Sequence, residues 1–253
     1  MIFREQPVDW RDLQNKVKVF FEEMGFRSEV AKTINGVRGH NEIDVYAESM
    51  DELNLRIFVE CKFWNANIPQ REINAFRTVI QDSGANIGYF IVKNGFQKGA
   101  FDSSENTNIK LMTFDELIDS HFYRWTESIF QRILDKLSVL KKYDSLIEKT
   151  GLCPGHILGF RSEKEWKQAT NMIDKVSFLY FHIDALESKN PDKRNIDYII
   201  NSCPKFITFQ NSQFRIDSIR DYIEFVMNST YLEEICKELD SFIEDNGITL
   251  YFC

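Results

Sequence analysis

The chain has 253 residues, of which 43% are hydrophobic and 14% aromatic, so it can bury a sizeable core and is not a disordered polymer. Its formal net charge is −8, with 14 Lys/Arg against 19 Asp/Glu in residues 1–120 and 17 against 20 in the remainder. Neither half is basic, so any contact with nucleic acid must rest on local patches, bound metal or oligomerisation.

The first element is an amphipathic helix over Val8–Met24, with Trp10, Leu13, Val17, Phe20, Phe21 and Met24 at helical spacing and Gly25 as a C-cap candidate. Arg27–Ile34 and Glu42–Glu48 read as strands joined by the turn-rich Asn35-Gly36-Val37-Arg38-Gly39-His40. Leu55–Phe63 is the next strand. Pro69–Asp82 is a helix with proline near its first position and Gly84 closing it. Ile87–Val92 is a continuous apolar run, the mark of a buried central strand, and Ile109–Met112 is a last strand followed by a helix that Thr113 or Asp115 can cap. The order helix, three strands, helix, strand, short helix, strand predicts a mixed α/β sheet with helices on both faces.

Two strands carry the chemistry. In Glu42-Ile43-Asp44-Val45-Tyr46 and Ile57-Phe58-Val59-Glu60-Cys61-Lys62-Phe63, alternation places Asp44 on one face with Glu42, and Glu60 with Phe58 and Lys62. Ile43, Val45, Ile57, Val59 and Cys61 are then expected on the opposite face. Charges inside apolar strands are costly unless they are paired or bind a metal. Asp followed by Glu-x-Lys on a neighbouring strand is the minimal constellation of a Mg²⁺-dependent nuclease; the plainer reading is a cross-strand salt bridge on a wet sheet face.

The flanking segments add to that constellation. Phe21-Glu22-Glu23-Met24-Gly25-Phe26, Glu42-Ile43-Asp44-Val45, Val59-Glu60-Cys61-Lys62, Arg77-Thr78-Val79-Ile80, Gly88-Tyr89-Phe90-Ile91-Val92 and Gly95-Phe96-Gln97-Lys98-Gly99-Ala100 occur in this order. Together they make residues from about 8 to 118 resemble the Mrr-like restriction endonucleases of the PD-(D/E)xK nuclease superfamily. The resemblance implies a restriction-endonuclease-like fold, with Asp44, Glu60 and the main-chain carbonyl of Cys61 as ligands of Mg²⁺, for which Mn²⁺ can substitute. It implies that Lys62 activates or orients the attacking water. The first-helix position where many relatives carry a glutamate falls here on Gln14, and Glu42 is a candidate to compensate for the missing charge. Arg71, Arg77, Lys93 and Lys98 are candidate DNA-phosphate contacts, with Gln70 and Gln81 beside them; taken singly, all six read as solvated surface residues. His40 is a candidate hydrogen-bonding group beside the Asp44 strand. No Walker or Gly-x-Gly-x-x-Gly spacing points to a nucleotide loop.

The second half shows no chemical motif. Residues 120–149 follow a helical pattern in which Phe130, Ile133, Leu137, Leu140 and Ile147 make an apolar stripe, either docked on a domain or forming a dimer seam. Gly151-Leu152-Cys153-Pro154-Gly155-His156 marks a break, and Glu163–Leu186 reads as helical. Asn190-Pro191-Asp192 is a turn, Pro204–Gln210 a short strand, Phe214–Glu244 one or two helices, and Ile248–Phe252 a terminal strand. The expected organisation is a nuclease domain over 1–119 and a mainly helical accessory domain over 120–253 for a protein partner, target recognition or a homodimer.

No apolar run reaches the roughly 18 residues of a membrane span. Met1-Ile2-Phe3-Arg4-Glu5 lacks the apolar stretch of a signal peptide. Five cysteines, at 61, 153, 203, 236 and 253, contain no Cys-x-x-Cys pair, which predicts reduced thiols and a cytoplasmic setting. The expected function is metal-dependent hydrolysis of DNA phosphodiesters in restriction or anti-phage defence. The alternatives are a nuclease-fold binding or scaffold module, and an RNA-cleaving or junction-resolving enzyme.

Overall fold

Asp9 starts the first helix, its carboxylate accepting from the Asp12 N–H at 2.8 Å and satisfying one of the amides that a helix N-terminus leaves open. From there α1 (Trp10–Glu23) buries Leu13, Val17, Phe20 and Phe21, followed by buried Met24, as the spacing predicts, whereas Trp10, expected on the same stripe, sits exposed at the first helical position. The computed structural model describes residues 2–150, 162–187, 192–209 and 212–248. After α1 come β1 (Phe26–Gly36), β2 (Gly39–Ser49), β3 (Arg56–Lys62), α2 (Gln70–Ser83), β4 (Ile87–Val92), α3 (Lys98–Ser104) and β5 (Ile109–Thr113). The five strands form one sheet in sequence order. The pairs β1–β2 and β2–β3 are antiparallel, whereas β3–β4 and β4–β5 are parallel and joined by helical crossovers. This is the mixed α/β arrangement that the pattern predicts. Pro69 is the N-cap of α2 rather than its first helical residue, and the hairpin strands extend further toward the turn than expected.

Adjacent residues of the central strand show which helix covers which face. Tyr89 meets Phe21 of α1 with ring centroids 5.8 Å apart, while its neighbour Phe90 meets Phe76 of α2 at 5.6 Å. Since consecutive side chains of a strand point to opposite faces, α1 and α2 cover opposite faces of the sheet. Against α2, the buried Phe58, Phe90 and Val92 pack with Ile73, Phe76 and Ile80. Gly88 is what lets the helix come so close. A Cβ there would lie 2.9 Å from both Ile80 Cδ1 and Phe76 Cε1. Gly84, at φ +66°, ends α2 in the left-handed conformation that glycine adopts without steric cost.

The described residues fall into two compact units, Glu5–Ile129 and residues 2–4 with those from Phe130 onward. In the first unit, Thr113 caps α4 (Phe114–Leu137) in a reciprocal box. Its hydroxyl accepts from the Glu116 N–H at 3.3 Å, and the Glu116 carboxylate accepts from the Thr113 N–H at 2.7 Å. The Trp125 indole N–H donates to the buried Glu23 carboxylate at 2.7 Å.

The second unit is mainly helical. It contains a 3-10 stretch (Ser138–Tyr143), α5 (Asp144–Thr150), α6 (Glu163–Leu186), α7 (Lys193–Ser202), the antiparallel pair β6 (Phe206–Phe209) and β7 (Ser212–Arg215), α8 (Ile219–Asn228) and α9 (Tyr231–Asn246). The helix expected over 120–149 is therefore not uniform. It tightens into 3-10 form where buried Tyr143 places its hydroxyl 2.9 Å from the Cys236 carbonyl and 2.8 Å from Asp240, with Lys142 reaching Asp240 at 2.7 Å. The stripe Phe130, Ile133, Leu137, Leu140 and Ile147 is buried within the chain itself. Phe214, expected in a helix, lies instead in β7 opposite Ile207 and packs on Phe225 at 5.1 Å. Short-range periodicity does not reveal that pairing. The Gly151–His156 break, the Asn190-Pro191 pair and the terminal strand beyond Ile248 lie outside the described residues.

At the centre of this unit His182 is fully buried, with Nδ1 3.0 Å from the Tyr222 hydroxyl and Nε2 2.9 Å from the Ser202 hydroxyl. Burial pushes its pKa down to about 4. The unfolded chain takes up this proton near pH 6.5, whereas the folded one does not until about 4. The stability conferred by the neutral ring is therefore full above about pH 6.5 and is lost, by roughly 3 kcal/mol, as the pH falls across that window. Urea unfolding of wild type and His182→Gln at pH 7 and pH 4.5 should show the wild type losing more stability on acidification than the variant; parallel losses would refute this assignment. Gly88→Ala should cost about 1–3 kcal/mol through overpacking against Phe76 and Ile80, visible as a lower urea midpoint.

Candidate active site

β2 and β3 are paired from Glu48–Arg56 to Val45–Val59, and the ladder stops one step short of Asp44 and Glu60. On the other side of β2, pairing with β1 runs through Val30–Val45 and Lys32–Ile43 but omits Ala31, which sits opposite Asp44 with φ +51°. Ile43 packs in the same cluster as Tyr46 and Phe58, on the α2 side, although unbroken alternation places it on the opposite face. The expected face of Ile43 is thus corrected; the change coincides with the unpaired Ala31–Asp44 step of the hairpin.

The Oδ2 of Asp44 accepts from the Cys61 main-chain N–H at 2.8 Å, and the side-chain amide of Gln14, from α1, hydrogen-bonds the carboxylate as well. In an extended strand the carbonyl of a residue points to the same side as its N–H, so the Cys61 carbonyl faces this opening too. Glu60 and Lys62 leave β3 on the α2 side near its carboxyl end and form an ion pair, both about three-quarters buried. In sheets of parallel strands that end is where ligand crevices form.

Electrostatics follow from this crowding. Burial raises the pKa of Asp44, with Glu42 adding to the effect, while the Cys61 N–H, Lys62 and Gln14 oppose it without cancelling it. Burial and then the charge of Asp44 raise Glu60 in the same way, against the pull of Lys62. For Lys62 burial acts to strip the proton, but Glu60, Asp44 and Glu72 outweigh it and hold the ammonium charged. Burial pushes the Cys61 thiol well up, leaving it a neutral core group.

Two carboxylates with raised pKa values face a single lysine, a charge arrangement that a further cation could balance. Among the described residues no group of three or more His, Cys, Asp or Glu side chains is gathered to hold a metal. An ion here would rest on two carboxylates, a main-chain oxygen and water. That hard-oxygen set fits Mg²⁺, which keeps much of its water and is commonly held by one or two carboxylates.

The remaining candidates are scattered around this centre. Arg71 is exposed and bonded to Glu72 at 3.1 Å, while Arg77 is spent on the Ser103 carbonyl at 3.3 Å and Asn74 at 3.0 Å. Lys93 reaches Asn65 at 2.8 Å and lies over the Phe63 ring, and Lys98 is exposed at the start of α3. Gln70 packs beside Gly99, and Gln81 is exposed. Glu42 is exposed and acts on Asp44 through its charge. His40 turns to Asn35 across the hairpin at 2.6 Å. Glu72, in the first turn of α2, escapes the sequence reading, yet its charge acts on both Glu60 and Lys62. Its signal is positional: a carboxylate one turn into the helix that follows the Glu-x-Lys strand.

A carboxylate whose folded pKa is raised makes the folded state lose stability as the pH rises through that pKa. Asp44→Asn should therefore melt at a higher temperature than wild type at pH 7, with the gain shrinking in acid. Equal melting temperatures at pH 7, measured without divalent ions, would show that the carboxylate pair stores no repulsion.

Comparison with known proteins bears on residues 6–121, which match the family Mrr_cat, described as restriction endonuclease. No curated protein matches the sequence. A crystal structure of a protein of unknown function, AF1548, aligns with a TM-score of 0.40 at 20% identity, over 66% of this chain and 98% of that one. The mixed sheet and its flanking helices agree with the family match, so residues 6–121 form a restriction-endonuclease-like domain similar to the Mrr_cat family.

Proposed function

We propose that the protein is a Mg²⁺-dependent endonuclease that hydrolyses phosphodiester bonds of DNA, in a setting of restriction or anti-phage defence. The observation that carries this reading is the cluster of Asp44 on β2 with the largely buried Glu60 and Lys62 near the carboxyl end of β3, within a restriction-endonuclease-like domain. Asp44, Glu60 and the Cys61 carbonyl hold the ion, and Mn²⁺ can replace it. The chemistry supplied by a bound ion is Lewis-acid polarisation of the phosphoryl group and a lowered pKa for water.

The chain's own groups do the rest. Gln14 and the Cys61 N–H fix the orientation of the Asp44 carboxylate. Glu42 and Glu72 deepen the negative field that draws in a divalent cation. Lys62, held charged, orients the attacking water and offsets the negative charge that gathers on the phosphorane oxygens; preorganised charge of this kind is the usual source of large rate effects. Arg71, Lys93 and Lys98 are exposed and able to meet DNA phosphates. With a net charge of −8, phosphate contacts alone give weak binding at physiological salt, which supports an accessory role for residues 120–253 in bringing a partner, a target or a second copy.

Purified protein incubated with plasmid DNA and Mg²⁺ or Mn²⁺ should nick or linearise it, and EDTA should abolish cleavage. Lys62→Ala and Asp44→Ala should each lose about 100-fold or more in rate, the scale seen when one preorganised charge is removed. Calorimetry should detect Mg²⁺ binding to the wild type and none to Asp44→Ala. Metal binding without cleavage of DNA, RNA or branched junctions would make the domain a binding module.

A further inference from the structure

Two tryptophans stand exposed on segments that carry site residues, Trp10 on α1 with Gln14 and Trp64 just beyond Lys62, and the hydrolytic mechanism uses neither. Trp64 is 41% exposed and Trp10 is 49% exposed, whereas Trp125 in the same unit is fully buried. An exposed indole offers a flat apolar face on which another flat apolar group can stack.

Trp64 lies two residues beyond Lys62, on a loop zipped to the segment that follows β4. The Lys93 N–H donates to the Lys62 carbonyl at 3.1 Å, Asn94 to the Asn67 side chain at 2.7 Å, the Ile68 N–H to the Gly95 carbonyl at 2.9 Å, and the Gln97 N–H to the Ile68 carbonyl at 2.9 Å. Ile68 itself is buried and anchors the far end. The loop is thus tied down on both sides of an indole that remains in solvent. A surface fixed in advance loses little conformational freedom when a flat ligand settles on it.

Trp10 comes from a different element. It is the first residue of α1, one turn ahead of Gln14, and residues four apart share a helix face. Gln14 is the residue that reaches Asp44, so the face bearing Trp10 is the one that meets the site. The Arg11 guanidinium lies over the Trp10 ring at 4.5 Å. Lys93 has neutral partners in the Asn65 amide oxygen and the Phe63 ring, which leave its charge available to a phosphate.

We propose that Trp64 and Trp10 are stacking surfaces for unpaired nucleobases flanking the scissile phosphate, with Lys93 on the adjoining phosphate. The preferred substrate is then DNA that carries unpaired nucleotides, as a single strand, bubble or flap. This rests on the nuclease reading of the same site. In a continuous duplex both faces of every base are already stacked, so an indole can engage only a base that is splayed out or unpaired. Stacking also suits an acidic protein, because it draws affinity from base faces and needs no broad basic surface.

The test uses the full-length chain in Ca²⁺, with a fluorescently labelled oligothymidylate and a matched duplex as probes. Wild type should bind the single strand more tightly than the duplex, with quenching of tryptophan fluorescence. Trp64→Ala and Trp10→Ala should each weaken single-strand binding by about 5- to 100-fold, while Trp64→Phe keeps most of it. Circular dichroism confirms that each variant is folded. Equal affinity for duplex and single strand, or wild-type binding by Trp64→Ala, would overturn the proposal. With Mg²⁺, if wild type cuts plasmid and Trp64→Ala cuts bubbled and fully paired DNA at wild-type rates, stacking is refuted and the nuclease reading stands. If nothing is cut but single-strand binding still requires both tryptophans, the nuclease reading falls and the base-binding surface stands.

Discussion

Asp44 and Glu60 repel each other, and the nuclease domain is built to hold them together despite that. Both are pushed by burial toward the neutral acid, the charge of Asp44 raises Glu60 further and that of Glu42 raises Asp44, and Lys62 offsets only part of this. A free protein surface would let the two separate into water. Here they are held by backbone: Asp44 by the Cys61 N–H, and Glu60 by its place in a strand whose neighbours Phe58, Phe90 and Val92 are locked against α2. Holding the two carboxylates together in a buried setting comes at some expense in stability, and on the proposed function a bound cation would relieve it.

Each surrounding feature serves that arrangement. The β2–β3 ladder ends at Val45–Val59, so the Cys61 N–H has no strand partner there and donates to the Asp44 carboxylate instead. Gly88 lets α2 pack closely through Phe76 and Ile80, and Glu72 in the first turn of the same helix acts by its charge on Glu60 and Lys62. On the opposite face α1 carries Gln14 to Asp44. The site therefore draws on both layers of helices and on the point where two strands part, and no single element contains it.

The second unit answers to different physics. Its centre is an aromatic core around neutral His182, with Tyr222, Phe178 and Tyr198 in ring contact, and it gathers no metal-ligating cluster among the described residues. A histidine held neutral by burial and bonded to two hydroxyls is a packing element that titrates. The helical stripe that the sequence offers either as a seam or as a docking face is covered within the chain.

The sequence alone determined the order of elements in the nuclease domain, because local periodicity, Pro69, Gly84 and the apolar run Ile87–Val92 are all short-range signals. It also brought Asp44, Glu60 and Lys62 into view, since two of the three share one strand. Tertiary structure decided what depends on contacts far apart in the chain. Ile43 turns to the α2 side beside the unpaired Ala31–Asp44 step, Glu72 arrives from the next helix, Arg77 is drawn off to Ser103, and Phe214 finds a strand partner in Ile207. Side-chain spacing records which face a residue prefers when its backbone is regular. It carries no record of a partner strand's irregularity or of a neighbour that only folding brings within reach.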